Sequence, residues 1–233
     1  MHHDRAVLFD LDGTLFDYDA AEAAAVTATL RCAGLDPDGE VVASYRRINA
    51  QHWGALERGE TTAARLRVER WEEVLAEHDV TDVDVGALAQ RYLAALAAGS
   101  QLVAGAVEVV AAVAARHPVA YVTNGLADVQ RPRLEASPLR SYTRTIVISD
   151  EVGAAKPDPA IFEAALAELG DPTPDRVTMV GDNPVADIAG AASLGMATVW
   201  VTRPGGKRVA GDGPSPTHRI ADIRELPHVL GLT

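Results

Sequence analysis

Five short apolar segments, separated by helical patterns, constrain the fold of this chain most strongly. They lie at residues 6–9, 119–122, 145–148, 177–180 and 198–201. Valine, isoleucine and leucine dominate them, which is typical of buried strands. Helical patterns at about 104–116, 128–136, 159–169 and 185–194 separate the later segments. This alternation predicts an α/β fold, a Rossmann-like, doubly wound parallel sheet with helices on both faces.

The region between the first and second strands has a different character. It lacks strand patterns and shows helical ones, for example at 61–77, where Leu66, Trp71 and Val74 lie near one face and Thr61 or Thr62 supplies the N-cap. A block of about 80 residues is too long for a crossover connection. The sequence therefore predicts an inserted all-α cap at 17–98 and a catalytic core at 1–16 and 99–233, with hinges near 16–19 and 98–105.

Composition excludes several classes of partner. Acidic residues outnumber basic ones by 33 to 21, and without a basic block this charge of −12 argues against a nucleic acid polymer. A single cysteine excludes an internal disulfide and a multi-cysteine zinc site. No apolar run approaches the roughly 20 residues of a membrane span, and Asp10 and Asp12 interrupt the first one. These features predict a cytoplasmic protein without a membrane partner. A monomer or homodimer is expected. Residues 203–219 have the composition of a mobile loop.

Polar residues follow each of the first four predicted strands. Ligands bind at the carboxyl ends of the strands in such a sheet, so these residues are expected to share one edge. The set comprises Asp10, Asp12, Gly13 and Thr14 after the first strand, Thr123 and Asn124 after the second, Lys156 in the connection after the third, and Asp182 with Asp187 after the fourth.

The carboxylates in this set predict a metal site. Asp10 and Asp12 are two positions apart, so an extended backbone points both toward one side, where they would repel each other without a cation. With Asp182 they form an anionic pocket of oxygen ligands, which suits Mg²⁺. Asp187 can face the same ion, directly or through water, or can hold Lys156 in place.

The remaining polar groups suit a phosphoryl substrate. Gly13, Thr123, Asn124 and Lys156 are predicted to bind its oxygens. Asp10 would then attack phosphorus and form an aspartyl-phosphate, while Asp12 protonates the leaving alkoxide and later takes a proton from water. Each motif is an ordinary turn or loop when taken alone, and their joint order carries the prediction. Asp17 and Trp53 are further candidates for substrate specificity, with packing as the alternative for Trp53.

Four motifs in order, "DLDGT", "TNG", "AAKPDP" and "GDNPVAD", resemble those of the haloacid dehalogenase-like hydrolase superfamily, and the helical insertion resembles its helical-cap subclass. The resemblance implies that Asp10 is the nucleophile and a metal ligand, that Asp12 is the acid/base with its backbone carbonyl on Mg²⁺, and that Asp182 is another ligand. It also implies that Thr123 and Lys156 hold the phosphoryl group. Asp187 matches the last acidic position of the fourth motif.

The same resemblance reduces the number of candidate activities. Dehalogenases of the superfamily lack the second acidic residue of the first motif, so Asp12 favours a phosphatase. The stretches "YVTNGLADVQRPRLEASPLRSYTRTIVISDEVGAAKPDPAIFEAAL" and "YRRINAQHW…GETTAARLRVERW" are similar to the pyrimidine 5′-nucleotidase branch. Pro132 departs from the pattern, because it removes a backbone donor and is expected to start or kink its helix.

The resulting prediction is a Mg²⁺-dependent phosphomonoester hydrolase that acts on small nucleoside 5′-monophosphates, with pyrimidines preferred. The alternatives are a sugar phosphate phosphatase, similar to those for sialic acid 9-phosphate or phosphoglycolate, a haloacid dehalogenase, and a non-catalytic binding protein that kept the fold.

Overall fold

The computed structural model describes residues 5–202 and 215–232. The chain divides into two compact units, one formed by Met1–Asp19 and Ser100–Thr233 and the other by Ala20–Gly99. The helical unit thus begins three residues later and ends one residue later than the cap predicted at 17–98. Most of the predicted loop at 203–219 lies outside the described residues.

The first unit is built on one six-stranded sheet in which every neighbouring pair is parallel. The strand order is β3-β2-β1-β4-β5-β6. The strands are β1 (Ala6–Phe9), β2 (Val119–Thr123), β3 (Thr145–Ile148), β4 (Val177–Gly181), β5 (Ala197–Val201) and β6 (His218–Ile220). The predicted doubly wound α/β fold is confirmed.

The sixth strand was not predicted, for a physical reason. Its three residues include two exposed polar ones, and only Ile220 is buried. Strand β6 forms because it pairs in parallel with β5, a contact between segments distant in sequence. The guanidinium of Arg219 also lies 4.1 Å from the centre of the Trp200 ring.

Both faces of the sheet are buried, because alternate strand residues point to opposite sides. In β1, Val7 and Phe9 join one apolar cluster, and Ala6 and Leu8 join the other. Helix residues from both sides complete these two layers. The helices of this unit are α5 (Ala106–Ala114), α6 (Ala127–Glu135), α7 (Ser149–Val152), α8 (Pro159–Glu168), α9 (Gly190–Ser193) and α10 (Leu226–Val229), with 3₁₀ turns at Pro138–Ser141, Pro174–Arg176 and Ile223–Glu225.

One predicted helix differs in type. The pattern at 185–194 predicted a single α-helix, but the chain forms a π-helix over Pro184–Ala189 and only then α9. The side chain of Asn183 accepts hydrogen bonds from the backbone N–H groups of Val185 and Ala186, which fixes the start of this turn. π-Helical turns are frequent at functional sites.

The second unit is all-helical, as its residue pattern predicted. Its helices are α1 (Tyr18–Cys32, which begins in the first unit), α2 (Gly39–Glu57), α3 (Ala63–Glu77) and α4 (Val85–Ala98). Asp38, Thr62 and Asp84 cap the last three by accepting hydrogen bonds from backbone N–H groups. Packing of Trp71 against Tyr45 and Tyr92 joins these same three helices. Across the described ranges, every helix is too short or too polar to cross a lipid bilayer.

Candidate active site

The strand order brings the predicted site residues to one edge of the sheet. Strand β1 lies between β2 and β4, so the chain reverses its direction of winding at β1, where α/β sheets bind ligands. Asp10 follows β1, Thr123 ends β2, and Asp182 follows β4. One carboxylate oxygen from each of Asp10, Asp182 and Asp187 lies within 4.8 Å of the other two.

Lys156 is the centre of this cluster. Its side chain is only 2% exposed, and its ammonium donates to Asp10 Oδ1 at 2.7 Å, Asp187 Oδ1 at 2.6 Å and the carbonyl oxygen of Val122 at 2.8 Å. Burial alone would lower the pKa of Lys156, but the two carboxylates outweigh it and raise that pKa above its ordinary value. The site therefore contains a buried cation, held by three acceptors that match its three donors.

Asp10 is buried with one oxygen unsupported. Its Oδ2 atom has no hydrogen-bond partner among the described residues. Burial raises the pKa of the Asp10 carboxyl to about 7, against the opposing effect of Lys156. An unsupported, buried carboxylate oxygen is costly unless a cation or donor reaches it. With Asp182 and Asp187 beside it, the donor set consists of hard oxygens, and these residues fit a Mg²⁺ ion.

Asp187 lies in the π-helical turn, and hydrogen bonds fix its carboxylate. Besides accepting from Lys156, its carboxylate accepts a hydrogen bond from the backbone N–H of Asn183 at 2.9 Å through Oδ2. Gly181 makes this approach possible, because a Cβ atom there would lie 2.2 Å from the same oxygen. Both oxygens of Asp187 thus accept hydrogen bonds, and one of them holds Lys156.

Gly13 lies directly against Asp182. Its backbone has φ of +87°, a conformation that favours glycine. A Cβ atom at this position would lie 2.2 Å from Asp182 Oδ2. The glycine of "DLDGT" therefore lets the loop after β1 approach the carboxylate that follows β4.

Thr123 and Asn124 contact the backbone around them. Thr123 Oγ1 accepts a hydrogen bond from the N–H of Gly125 at 3.1 Å. The amide of Asn124 donates to the carbonyl oxygen of Lys156 at 2.8 Å and accepts from the N–H of Lys156 at 2.7 Å. Asn124 therefore positions the backbone of Lys156, and the phosphate binding predicted for Asn124 stays a prediction.

Asp12 has two partners that the sequence did not indicate. Its Oδ2 accepts from Gln130 Nε2 at 2.5 Å and its Oδ1 accepts from Arg133 Nη1 at 2.5 Å. Both donors lie on α6, three positions apart and hence on the same face. The spacing of three residues could have indicated from the sequence that Gln130 and Arg133 share a helix face, but it could not indicate that Asp12 is their common acceptor. Helix α6 begins at Ala127 and continues through Pro132, so of the two expectations for Pro132 a helix start is wrong and a kink stays a prediction.

The two candidate specificity residues belong to different units. The backbone N–H of Asp17, in the first unit, donates to the carbonyl oxygen of Gln101 at 2.9 Å. Trp53 is half-buried on α2 of the helical unit. Their roles in specificity stay predictions.

Known proteins are similar to this chain in both sequence and fold. The model of the haloacid dehalogenase-like hydrolase family matches residues 5–195. The chain is 32% identical to pyrimidine 5′-nucleotidase YjjG of Escherichia coli strain K12 over 234 residues, 96% of each protein. It is 32% identical to pyrimidine 5′-nucleotidase PynA of Streptococcus pneumoniae R6 over 195 residues, which cover 83% of this chain and 82% of PynA.

A solved structure agrees with these matches. YfnB from Bacillus subtilis, crystallised with bound magnesium, has a TM-score of 0.87 to this chain at 30% identity, covering 97% of this chain and 98% of YfnB. The family resemblance predicted from the four motifs is thereby confirmed. The protein belongs to the haloacid dehalogenase-like hydrolases.

Proposed function

We propose that the protein is a Mg²⁺-dependent phosphomonoester hydrolase that works through an aspartyl-phosphate on Asp10. The observation that carries this proposal is the hydrogen bonding of Lys156 to both Asp10 and Asp187, beside an Asp10 oxygen that has no described partner. Such an arrangement holds a nucleophilic carboxylate in a fixed orientation and keeps positive charge where phosphoryl oxygens would bind.

The proposed reaction has two steps. A carboxylate oxygen of Asp10 attacks phosphorus and forms a new P–O bond, while the bond to the leaving oxygen breaks and Asp12 gives that oxygen a proton. Water then attacks the phosphoryl group and gives its proton to Asp12, which releases inorganic phosphate and restores Asp10. Lys156 stabilises the negative charge in both steps, and Asp187 and Asn124 hold Lys156 in position.

Asp10 and Asp182, with the backbone carbonyl of Asp12, are the residues that would hold the metal ion. When bound, Mg²⁺ supplies charge neutralisation at the phosphoryl oxygens. Of the two roles open to Asp187, its hydrogen bonds to Lys156 and Asn183 favour the positioning role.

We propose nucleoside 5′-monophosphates as the substrate class, with pyrimidines preferred. The support is the near-complete alignment with a pyrimidine 5′-nucleotidase at 32% identity. Selection of the base is assigned to the helical unit as a cap, where Trp53 is the candidate residue. The protein is further proposed to act in the cytoplasm on small molecules, as a monomer or homodimer.

A substrate panel tests this proposal. We expect phosphate release from pyrimidine monophosphates to exceed release from purine monophosphates and sugar phosphates, and we expect a chelator to abolish it. Phosphate release should return when excess Mg²⁺ is added back. A strong preference for a sugar phosphate would keep the mechanism and reject the substrate class. No metal-dependent release from any compound would reject the enzymatic proposal.

Replacing Asp12 by alanine tests its role as the acid. General acid catalysis contributes about 10²- to 10⁴-fold, so kcat/KM for a ribose leaving group, which reports formation of the phosphoaspartate and not its hydrolysis, should fall by that factor. The loss should be much smaller for p-nitrophenyl phosphate, whose leaving group needs little protonation. Asp175→Ala, at an exposed aspartate on the amino side of β4, is the matched control and should change neither rate. Equal losses on both substrates would contradict the acid role.

A further inference from the structure

We propose that Gln130 and Arg133 are positioning residues that orient the carboxylate of Asp12 for proton transfer. This inference rests on the proposed function, because it concerns the residue assigned there as the acid/base. It adds two side chains from α6 to a site otherwise formed by the segments that follow strands.

Both oxygens of the Asp12 carboxylate accept a hydrogen bond from α6. Each oxygen of Asp12 receives one donor, Gln130 Nε2 on Oδ2 and Arg133 Nη1 on Oδ1. Two donors on different oxygens prevent rotation about the Cβ–Cγ bond. An ionised carboxylate has about four lone-pair sites, so two remain for a proton. The carboxylate is therefore oriented without being blocked.

Arg133 is a rigid support for this orientation. Its side chain is 0% exposed, whereas that of Asp12 is 23% exposed, so a buried cation holds a carboxylate that water or substrate can reach. The Arg133 guanidinium lies 4.3 Å from the centre of the Phe16 ring, and Phe16 is itself fully buried. A buried guanidinium is costly unless it is paired, and here the pairing serves the proposed acid/base residue.

Gln130 donates a hydrogen bond to Asp12 while its own side-chain oxygen stays unpaired among the described residues. The residue is 1% exposed, and its Oε1 atom has no hydrogen-bond partner among the residues in the described ranges. A glutamine placed only for packing would not leave a buried acceptor unsatisfied. Gly125 provides the space, since a Cβ atom there would lie 2.2 Å from Gln130 Nε2. The glycine of "TNG" thus lets Gln130 reach Asp12.

A purely structural role is the alternative for Gln130 and Arg133. The dependence of the rate loss on the leaving group separates a structural role from a positioning role. The experiment measures kcat and KM for uridine 5′-monophosphate and for p-nitrophenyl phosphate in Gln130→Met, Arg133→Met and Arg133→Lys. A misoriented acid should lower kcat/KM on the nucleotide by about 10²-fold, because this ratio reports formation of the phosphoaspartate, the step in which the leaving group needs a proton. The p-nitrophenyl phosphate rate should fall far less, and Arg133→Lys should recover part of the loss. Gln130→Met is the decisive variant if Arg133→Met does not fold.

Two controls sharpen this test. Arg131 lies on the same helix but pairs with Glu151 at the surface, so Arg131→Met should leave both rates unchanged. In an Asp12→Ala background, Gln130→Met should cost little further activity on the nucleotide, because the group it orients is gone.

The outcomes distinguish the inference from the function on which it rests. Equal losses on both substrates, or a full additional loss in the Asp12→Ala background, would overturn the positioning role while the phosphatase stands. If Asp12→Ala does not discriminate between the two compounds, the acid role of Asp12 fails and the inference fails with it, while a phosphatase acting through Asp10 stands. If wild type releases no phosphate from these two compounds or from any other compound of the substrate panel, the proposed function fails and the inference fails with it.

Discussion

Asp10→Asn is expected to abolish phosphate release while leaving the fold intact. The substitution preserves the size of the side chain but replaces the carboxylate that would attack phosphorus. Loss of a covalent nucleophile leaves only binding and electrostatic contributions, so kcat should fall by at least ~10⁴-fold. The measurement is single-turnover phosphate release with Mg²⁺ present, together with trapping of a phosphorylated protein.

Wild type should form an acid-stable, hydroxylamine-sensitive phosphoprotein, and Asp10→Asn should form none. Asp175→Asn is the matched control, because the same chemical change at an exposed position on the amino side of β4 should not affect either readout. Turnover of Asp10→Asn near the wild-type rate would exclude a phosphoaspartate at this position.

Lys156→Met is expected to have the largest effect on stability. Lys156 is the buried cation between Asp10 and Asp187, so its removal leaves two buried carboxylates facing each other. Breaking a buried ion pair by removing one partner costs about 3–5 kcal/mol. The free energy of unfolding, measured by urea denaturation with chelator present, should fall by an amount in that range.

A double-mutant cycle assigns this loss to the ion pair. Lys156→Met combined with Asp187→Asn should be less destabilised than the sum of the two single variants, because the second substitution removes one of the unpaired charges. Additive losses would contradict assignment of the loss to the ion pair with Asp187.

The strands and their order along the chain could be predicted because both faces of this sheet are buried. Burial on both faces requires nearly continuous apolar segments, and such segments are visible in a sequence. Strand β6 was missed because its residues are mostly polar and its only reason to be a strand is the partner β5. The π-helical turn at Pro184–Ala189 was missed because the residue pattern at 185–194 has ordinary helical character.

The candidate site likewise has features that the sequence predicts and features that only the tertiary structure shows. The sequence alone determined which residue types follow each strand, and a parallel sheet brings those positions to one edge. On that basis it predicted Asp10, Asp12, Lys156 and Asp182 as a set. The sequence left two roles open for Asp187, and tertiary structure favoured the one in which it holds Lys156. Tertiary structure alone gave the pairing of Arg133 with Asp12, because it joins segments whose separation in sequence carries no periodic signal. For that reason the glycines at 13, 125 and 181 were recognisable only as turns until the side chains that approach them had positions in space.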